Sequence, residues 1–569
     1  MSNLRVAQTL ELIADLIEIQ GVEPFKAPAY RRAAHSVRKS AEDVSQLARE
    51  GRLLELGGVG KNLAPKIEEI LATGSCRYLE RLQLEIPLSI LELLAVPGLG
   101  PRTASLLFRE LGVTSLEALE TALAGGQVEK LPGMGAKKTA ALSQGLADVK
   151  KQNTGRRPLG WVLPFAESLR EHLSGVDAVA DVEICGSARR WKETVGDLDL
   201  VAASEDAKAV MEHFLALPGV SRVLASGQTR SSVFFEQVGQ VDLRVVEPAH
   251  FAPAVHHFTG SAEHHVHLRG LARRQGLHIS EYGVKAETGA DPVVSDERQL
   301  YALLGLDYIP PELREDRGEI EASAAKELPC LVHMSDIRGD LHVHSDWSDG
   351  SAGLQQLAVA AAVRGYQYLA VTDHSRSLAM ARGLDAQRLS AQVEAIAQVN
   401  VARPDGPRLL TGIEVDILRD GSLDLDDDIL SGLDVVVASI HSGLRQDPGV
   451  LTSRLEQAIK NPHVDIIGHP TGRLLSGREP ALPDLEHLFD VASATGTAFE
   501  INASPDRLDL NDIWARKAKE HGVKLAVSSD AHSLSGLSDL RYGLGTARRA
   551  WLEAPDILNC CSLDSLLKS

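Results

Sequence analysis

The sequence predicts a chain of several domains, with an α-helical N-terminal region, an α+β middle region and a parallel α/β barrel at the C-terminal end. Three observations support this fold class. Gly-apolar-Gly turns separate helical patterns before residue 150, two apolar strands carrying acidic residues lie in the middle, and short apolar strands alternate with helical patterns beyond residue 336. The 569 residues are enough to form about three or four such cores.

Composition and apolar patterning predict a soluble protein. Hydrophobic residues make up 44% of the sequence and aromatic residues 4%, which is ordinary for globular folds. Residues 1–21 place Leu10, Ile13 and Ile17 on one helical face among acidic residues, so we expect an amphipathic helix rather than a signal peptide. Because no apolar run reaches membrane length and the five cysteines lack a Cys-x-x-Cys spacing, we expect a cytoplasmic protein.

The formal net charge of −19 is unevenly distributed along the chain. Residues 1–150 contain 18 Lys+Arg and 18 Asp+Glu, so the whole acidic excess lies after residue 150. Contact with a nucleic acid must therefore depend on local hydrogen-bond donors more than on overall charge.

Such donors are predicted in three repeated turns of the N-terminal region. The turns at 56–61, 96–101 and 131–136 share a Gly-apolar-Gly core that opens a helical pattern, with cations close behind. A turn of this kind presents backbone amides to one phosphate at the positive end of the helix dipole, without reading a base. The motif resembles the helix-hairpin-helix, and three copies favour nonspecific binding of a duplex backbone over plain interhelical turns. The predicted DNA-binding residues are Gly58, Gly60, Gly98, Gly100, Gly133, Gly135 and Lys61.

In the middle region, the stretch 186–200, GSARRWKETVGDLDL, predicts a phosphate-binding and metal-binding site. Gly186 and Ser187 follow an apolar strand, so the backbone can come close to an anion and nearby amides can donate to phosphate oxygens. Asp197 and Asp199 alternate with leucines, so both carboxylates point to one face of a strand while the leucines enter the core. Two acids on one face can hold a divalent metal ion.

A second apolar strand, at 241–246, carries one acid, Asp242, among hydrophobic residues. Burying that carboxylate is costly unless it binds a cation. Together with Asp197 and Asp199 it makes three carboxylates on adjacent strands, which can carry two Mg²⁺ ions for phosphoryl transfer. The alternative is an exposed edge strand whose acids only face water.

These residues resemble the palm of the nucleotidyltransferase superfamily, in particular that of the family X DNA polymerases. The sequence His257-Phe258-Thr259-Gly260-Ser261 resembles the family's nucleotide-binding turn, with His where Tyr is often found, and the segment 301–314 resembles part of its thumb. The resemblance implies Mg²⁺ or Mn²⁺ in the palm and a catalytic, metal-binding role for Asp197, Asp199 and Asp242. It implies nucleotide-binding roles for Gly186, Ser187, Arg190, His257, Phe258 and Gly260.

The same resemblance bears on Lys66, which lies on the helix after the first Gly turn. In family X enzymes this small domain binds the 5′ end at a DNA gap, and in some members a matching lysine removes a sugar phosphate through a Schiff base. Lys66 is therefore a candidate lyase nucleophile. Plain phosphate binding is the alternative, because Schiff-base chemistry needs an amine depressed in pKa by cationic neighbours.

Beyond residue 336, nearly every apolar strand closes on a histidine or an acid. In a parallel α/β barrel the C-terminal strand ends meet around one mouth, so ligands that are distant in sequence become neighbours in space. A single histidine after a strand is ordinarily structural, but this many form a site. Imidazoles and carboxylates without thiolates suit Mn²⁺, Zn²⁺ or Fe²⁺, and a hydroxide held between such ions can attack a phosphorus centre.

This pattern resembles the PHP (polymerase and histidinol phosphatase) domain. The resemblance implies a distorted TIM-like barrel holding up to three divalent ions, two of them bridged by Glu414, and a filled ligand set implies an active hydrolase. The implied metal ligands are His342, His344, Asp349, His374, Glu414, His441, His469, Asp530 and His532.

Two independent motif sets thus identify the chain as similar to the bacterial-type family X DNA polymerases with a C-terminal PHP domain. We expect a DNA-directed DNA polymerase that fills short gaps in DNA repair, with a metal-dependent 3′–5′ exonuclease or AP-endonuclease-like activity in the barrel. Its partners would be gapped or primer-template duplex DNA and dNTPs, with no membrane, and the protein would be a monomer. The alternatives are a nucleotidyltransferase acting on RNA or a small acceptor with a phosphatase barrel, and a DNA-binding scaffold with an inactive palm.

The expected domain boundaries follow from these motifs. They are a helical domain that binds a DNA 5′ end (1–84), a fingers-like helical domain with two further helix-hairpin-helix motifs (85–154), the palm (155–246), the thumb (247–317), a linker (318–335) and the PHP phosphoesterase domain (336–569).

Overall fold

A computed structural model describes residues 3–21, 26–38, 40, 44–73, 75–96, 98–152 and 155–567. The chain divides into two compact units, Met1–Thr154 and Gly155–Ser569. This division coincides with the expected end of the helical region at residue 154. None of the helices in the described ranges has the length and apolar character needed to cross a membrane.

The described part of the N-terminal unit is helical. The predicted apolar face of its first helix is buried, since Leu10, Ile13 and Ile17 are fully enclosed. One hydrophobic core extends from Val6 to Leu146, so the two expected helical domains share a core across residue 84. The helices are α1 (Asn3–Gln20), α2 (Ala27–Arg38), α3 (Val44–Arg49), α4 (Ala64–Thr73), α5 (Arg77–Glu85), α6 (Pro101–Leu111), α7 (Leu116–Ala124) and α8 (Ala136–Gln152).

The palm is a twisted sheet with helices packed against it. Its strands follow the order β2-β4-β7-β6-β5, in which only β4 and β7 run parallel. That parallel pair occupies the middle of the sheet. The elements are β1 (Arg157–Pro158), α9 (Leu159–Ser174), β2 (Asp181–Ile184), α10 (Gly186–Arg189), β3 (Thr194–Val195), β4 (Leu198–Ala203), α11 (Ala207–Leu215), β5 (Arg222–Ser226), β6 (Arg230–Phe235) and β7 (Gly239–Val246).

The thumb follows with α12 (Phe251–Thr259), α13 (Ala262–Arg274), β8 (Leu277–Ser280), β9 (Gly283–Ala286), α14 (Glu297–Leu303) and α15 (Glu319–Ala325). The expectation of a linker at 318–335 is wrong for its first half, because α15 lies there. Glu319 is fully buried against His264, with 2.6 Å between Oε1 and Nδ1, and Ile320 joins the thumb core. Two buried anchors in a run of Glu, Ala and Ser leave too weak an apolar period to be recognised in the sequence.

The C-terminal part is a barrel of parallel strands in sequential order from β10 to β16. The backbone N–H of His344, just after β10, donates to the Ala531 carbonyl at 3.0 Å and joins the two ends of the sheet. The elements are β10 (Gly339–Val343), α16 (Leu354–Val363), β11 (Tyr368–Val371), α17 (Ala386–Ala402), β12 (Arg408–Asp416), α18 (Asp427–Leu430), β13 (Val435–Ser439), α19 (Pro448–Ile459), β14 (Ile466–Ile467), α20 (Leu485–Thr495), β15 (Ala498–Asn502), α21 (Asp512–Glu520), β16 (Leu525–Ser528), α22 (Leu540–Arg549) and α23 (Leu563–Leu566).

The barrel packs directly on the palm. Leu508 and Tyr542 of the barrel belong to the palm's hydrophobic core. Arg541 on α22 donates to Glu167 on α9 at 3.0 Å. The palm, thumb and barrel therefore form one compact unit rather than bodies connected only through a linker.

Candidate active sites

The three predicted palm acids meet on neighbouring parallel strands. Asp199 on β4 pairs in register with Asp242 on β7, and Asp197 immediately precedes β4. One carboxylate oxygen from each acid lies within 4.8 Å of the other two. Leu198 and Leu200 are buried on the opposite face, so the predicted alternation is present.

The surroundings of these acids favour a bound cation. Burial, together with the charges of Asp197 and Asp242, raises the pKa of Asp199 to about 7. Asp242 is buried and accepts a hydrogen bond from the Gln240 amide at 3.0 Å. Because like charges this close oppose ionisation, a divalent ion would relieve their repulsion, and the oxygen-only donor set suits Mg²⁺ or Mn²⁺.

Gly186 is placed against the strand face that carries these acids. Its φ of +61° lies in the left-handed region, and a Cβ at this position would approach Asp199 Oδ2 to well under 3.0 Å. Any other residue would therefore strain the turn and displace a proposed ligand. The sequence predicted that the backbone at Gly186 comes close to a bound anion. In the structure this backbone also lies close to the Asp199 carboxylate.

A cavity of about 500 Å³ opens beside the acids. All the residues predicted to bind nucleotide line it, together with Asp197 and Asp199: Gly186, Ser187, Arg190, His257, Phe258 and Gly260. Sequence reasoning did not assign several further lining residues: Arg156, Lys192, Glu263, His265, Arg269 and Glu315. Their segments come together only in three dimensions, so no local pattern marks them.

Arg190, to which the resemblance gives a nucleotide-binding role, and its neighbour Arg189 have different surroundings. Arg190 lines the cavity, with its Nη1 donating to the Thr259 carbonyl at 2.7 Å. Arg189 is not among the lining residues and instead donates to Glu297 on α14 at 2.7 Å through Nη2. Of this pair, only Arg190 is positioned for a ligand in the cavity.

The barrel mouth gathers the nine predicted metal ligands. Eight of them fall into three overlapping groups in which one ligand atom of each member lies within 4.8 Å of the others. The ninth, His469, contacts Glu414, with 3.0 Å between Nε2 and Oε1. The groups are His344, Asp349, His374 and His532; His342, His344 and Asp530; and His374, Glu414 and His441.

Glu414 lies at the centre of this cluster. Its Oε2 is 2.7 Å from His374 Nδ1 and 3.5 Å from His342 Nε2, while its Oε1 is 3.2 Å from His441 Nε2. Although burial raises the pKa of Glu414, the charges of the surrounding histidines outweigh it and hold this pKa well below its usual range. The carboxylate is therefore ionised and available to more than one ion.

Buried atoms without hydrogen-bond partners support metal binding at the mouth. His374 Nδ1 and Glu414 Oε2 are close but misaligned, and neither has a hydrogen-bond partner in the described chain. His469 Nδ1 and both ring nitrogens of His344 also lack a hydrogen-bond partner in the described chain. The Nε2 of His344 lies 3.1 Å from Asp530 Oδ1 but is misaligned for a hydrogen bond. Buried polar atoms are rarely left unpaired, so this arrangement fits divalent ions accepting these lone pairs.

Two acids behind the ligands were missed by sequence reasoning. Glu500 accepts from His342 Nδ1 at 2.8 Å and from the backbone N–H of His469 at 2.6 Å. Asp416 lies 2.8 Å from His441 Nδ1. Such carboxylates orient an imidazole and leave its other nitrogen for a metal. Asp416 is the last residue of β12 and Glu500 lies two residues before the end of β15, and this position near a strand end is the signal that could have identified them.

The three N-terminal turns have a common construction. Gly58, Gly98 and Gly133 have φ values of +80°, +83° and +75°. In each turn both glycines are exposed, whereas the apolar residue between them is buried. The buried residue anchors the turn and leaves the glycine backbone accessible to a phosphate. Pro97 and the side chain of Lys137 lie outside the described residues.

Lys66 is partly exposed on α4. Its Nζ donates to the Asn62 carbonyl at 2.7 Å and lies 5.6 Å from the centroid of the Tyr78 ring. The Arg81 guanidinium lies over the same ring at 5.7 Å. Lys66 and Arg81 thus both contact the Tyr78 ring, and this pair of cations is compatible with phosphate binding.

Comparison with known proteins agrees with this division of the chain. Family models match for a helix-hairpin-helix domain (residues 1–76), a SAM-like helix-hairpin-helix tandem (90–148), the DNA polymerase beta thumb (254–315) and the PHP domain (340–504). These matches confirm the predicted fold class.

Similar proteins span both the whole chain and its parts. A Bacillus subtilis (strain 168) protein named DNA polymerase/3′-5′ exonuclease PolX is 42% identical over 561 residues, which is 98% of this chain and 97% of that protein. DNA polymerase lambda of Rattus norvegicus is 25% identical over 55% of this chain and 56% of its own length. A probable phosphatase of Thermoanaerobacter sp. (strain X514) is 32% identical over 39% of this chain and 89% of its own length.

The similarity to the Bacillus protein covers both active-site regions and the helical N-terminal unit, so it is not confined to one shared domain. The chain belongs to the PolX family, the bacterial-type family X DNA polymerases that carry a C-terminal PHP domain.

Proposed function

We propose that this protein is a DNA-directed DNA polymerase that fills short gaps during DNA repair and removes nucleotides from a 3′ end with its barrel. The observation that carries the polymerase assignment is the group of Asp197, Asp199 and Asp242 beside a cavity of about 500 Å³. Three clustered acids next to a cation-lined cavity suit a nucleoside triphosphate and its counter-ions. The full-length relative named as a polymerase and 3′-5′ exonuclease supports both assignments.

In the palm, we assign each group a role in nucleotide addition. Asp197, Asp199 and Asp242 would hold two Mg²⁺ or Mn²⁺ ions. The Ser187 hydroxyl and the Arg190 guanidinium would bind triphosphate oxygens. The nucleotide-binding turn formed by His257, Phe258 and Gly260 lines the same cavity, and the Arg244 guanidinium, 4.2 Å from the centre of the Phe258 ring, helps to fix that ring.

In the barrel, the nine ligands would hold up to three divalent ions, with Mn²⁺, Zn²⁺ and Fe²⁺ as candidates. Bound ions would supply Lewis-acid activation of the attacking group and neutralise charge on the phosphodiester. Glu414, at the centre of the cluster, would help to hold two of these ions. Glu500 and Asp416 would orient His342 and His441, keeping the metal-facing nitrogens unprotonated.

The N-terminal unit would hold the DNA. The exposed glycine amides of the three turns would each bind a backbone phosphate, and Lys61 follows the first turn. Lys66 would bind a 5′ phosphate or, as a nucleophile, remove a sugar phosphate. We further propose that the protein acts as a monomer in the cytoplasm, associated with the nucleoid.

A relative that is named a probable phosphatase and matches 39% of this chain favours a second candidate activity for the barrel, hydrolysis of small phosphomonoesters. The donor set at the mouth suits either phosphate ester. Parallel assays on a phosphomonoester, on a 3′-recessed duplex and on a duplex with an abasic site would rank these substrates by kcat/KM.

The direct test of the polymerase assignment is extension across a one-nucleotide gap. A duplex with a 5′-labelled primer is incubated with dNTPs and either Mg²⁺ or Mn²⁺, using the wild type, Asp197→Ala and Asp199→Ala. We expect each variant to lose at least about a thousandfold in kcat, because each removes a ligand of the ions that stabilise the transition state.

Two controls separate chemistry from folding and binding. Circular dichroism and the affinity for the gapped duplex should stay close to wild type in both variants. Extension by the Asp197→Ala, Asp199→Ala double variant at a near wild-type rate would end the polymerase assignment, and a wild type that extends nothing with either ion would favour the scaffold alternative.

A further inference from the structure

Arg190 is held in the palm cavity by a chain of contacts that ends in the barrel. Its Nε donates to Glu315 Oε1 at 2.9 Å, and its Nη1 donates to the Thr259 carbonyl. Glu315 is itself a lining residue of the cavity and is largely buried. None of the residues in the described ranges accepts a hydrogen bond from Nη2 of Arg190, which leaves this nitrogen for a ligand.

The last residue of α22, Arg549, connects the barrel to this chain. Its Nη1 donates both to Glu315 Oε1, at 2.9 Å, and to the backbone carbonyl of Arg190, at 2.8 Å. Its Nη2 donates to Asp512 Oδ2 on α21 at 2.9 Å, and its side chain is only 4% exposed. The guanidinium is therefore fixed by the barrel on one side and by the palm cavity on the other.

A second contact between α22 and the palm supports the backbone next to Arg190. Trp191, directly after Arg190, has a φ of +55°, which is uncommon for a bulky residue. A Cβ on Gly545 would lie 2.5 Å from Trp191 Cε3, and the Trp191 ring packs edge-on against Tyr542 at 6.2 Å. Tyr542, Gly545 and Arg549 follow helical spacing, so they share one face of α22.

Glu315 is an unfavourable neighbour for a triphosphate unless its charge is balanced. Arg549 and Arg190 share the same carboxylate oxygen, and Lys192 Nζ lies 3.9 Å from the other. Without Arg549, the carboxylate would hold Arg190 more strongly and would repel phosphate oxygens in the cavity. The Arg190 carbonyl would also lose a donor.

On the basis that the palm cavity is the nucleotide site, we propose that Arg549 of the barrel is a positioning residue for nucleotide binding. It neutralises Glu315, holds the backbone of Arg190 and leaves the free edge of that guanidinium directed to the triphosphate. The nuclease barrel is thus a structural part of the polymerase site, and its helix α22 determines how tightly the palm binds a dNTP.

The test uses the full-length protein and steady-state gap filling, with KM for the dNTP and kcat measured separately. Arg549→Met keeps most of the side-chain volume but removes the charge and the donors. We expect it to raise KM by about tenfold or more, the scale of a lost charge-assisted hydrogen bond, with a much smaller change in kcat. Arg549→Lys, which keeps the charge but cannot span three acceptors, should give an intermediate KM.

A matched control lies one residue earlier on the same helix. Arg548 also connects the barrel to the thumb, with its Nε donating to Glu312 Oε1 at 2.7 Å, but it does not contact Glu315 or Arg190. Arg548→Met therefore removes a similar ion pair and should leave KM for the dNTP within about twofold of wild type. Degradation of a 3′-recessed primer by every variant monitors the fold of the barrel.

A rescue experiment separates charge balance from general packing. If Arg549 acts by neutralising Glu315, the Arg549→Met, Glu315→Gln double variant should recover most of the lost dNTP affinity, because the repelling carboxylate is gone. An unchanged KM in Arg549→Met, or a raised KM that Glu315→Gln does not lower, would overturn the inference. A wild type that adds no nucleotide would instead contradict the proposed function.

Discussion

Gly186→Ala offers a sharp test of how closely the palm backbone approaches Asp199. A non-glycine residue at the observed φ of +61° costs about 1–2 kcal/mol. The added Cβ would also approach Asp199 Oδ2 to well under 3.0 Å, so the carboxylate must retreat by roughly 1 Å to restore an ordinary van der Waals contact. Since displacement of a catalytic group by about 1 Å costs on the order of a hundredfold, we expect kcat for gap filling to fall by about that factor.

The matched control is Gly305→Ala in the thumb. Gly305 has a comparable φ of +74°, but a Cβ there would meet nothing within 4 Å. Both variants should lower the melting temperature by only a few degrees, while only Gly186→Ala should lose extension. The assay is single-turnover extension of a one-nucleotide gap beside thermal unfolding. Wild-type kcat in Gly186→Ala, or an equal loss in Gly305→Ala, would refute the steric argument.

Three further predictions follow from single contacts. Borohydride should trap the protein on DNA with an incised abasic site only if an amine of the protein is nucleophilic. Trapping that persists unchanged in Lys66→Ala would exclude Lys66 as the sole nucleophile. Glu500→Gln should lower exonuclease kcat/KM by about 10–100-fold and release metal from His342 more readily in a chelator titration, with gap filling unchanged as its control. Although burial raises the pKa of Glu297, Arg314 and Arg189 lower it to about 2, below the usual 4.5. A lowered carboxyl pKa stabilises the fold above pH 4.5, by on the order of 3 kcal/mol, and this stabilisation is lost as the pH falls from about 4.5 to 2. The difference in unfolding free energy between wild type and Glu297→Gln should therefore shrink as the pH is lowered through that window. A difference that stays constant in denaturant titrations would contradict this prediction.

The features that sequence could predict are those carried by local patterns. Alternation of acids with buried leucines placed Asp197 and Asp199 on one strand face, and the parallel strand pair then brings Asp242 beside them. In the barrel, strand ends predicted the ligand cluster because parallel strands share one mouth. The Gly-apolar-Gly motifs predicted turns with exposed backbone, because the conformation of a turn depends on the residues within it.

Other features depend on side chains that meet only after folding. Glu315 and Arg549 are 234 residues apart, and nothing near either one predicts their contact. The linker expected at 318–335 was misread because α15 is anchored by few buried residues, chiefly Glu319 in a buried pair with His264. A polar composition predicts exposure on average, but a paired acid can be fully buried.

We propose that two separate metal sites of this protein perform synthesis and degradation, and one crossed experiment tests this division most directly. A 5′-labelled primer on a 3′-recessed duplex is followed with and without dNTPs for wild type, Asp197→Ala and the His342→Ala, His344→Ala double variant. The palm variant should shorten the primer at the wild-type rate but not extend it, and the barrel variant should extend but not shorten it. If the barrel variant still degrades the primer at the wild-type rate while the palm variant does not, the nuclease resides in the palm and the assignment of the two sites is contradicted.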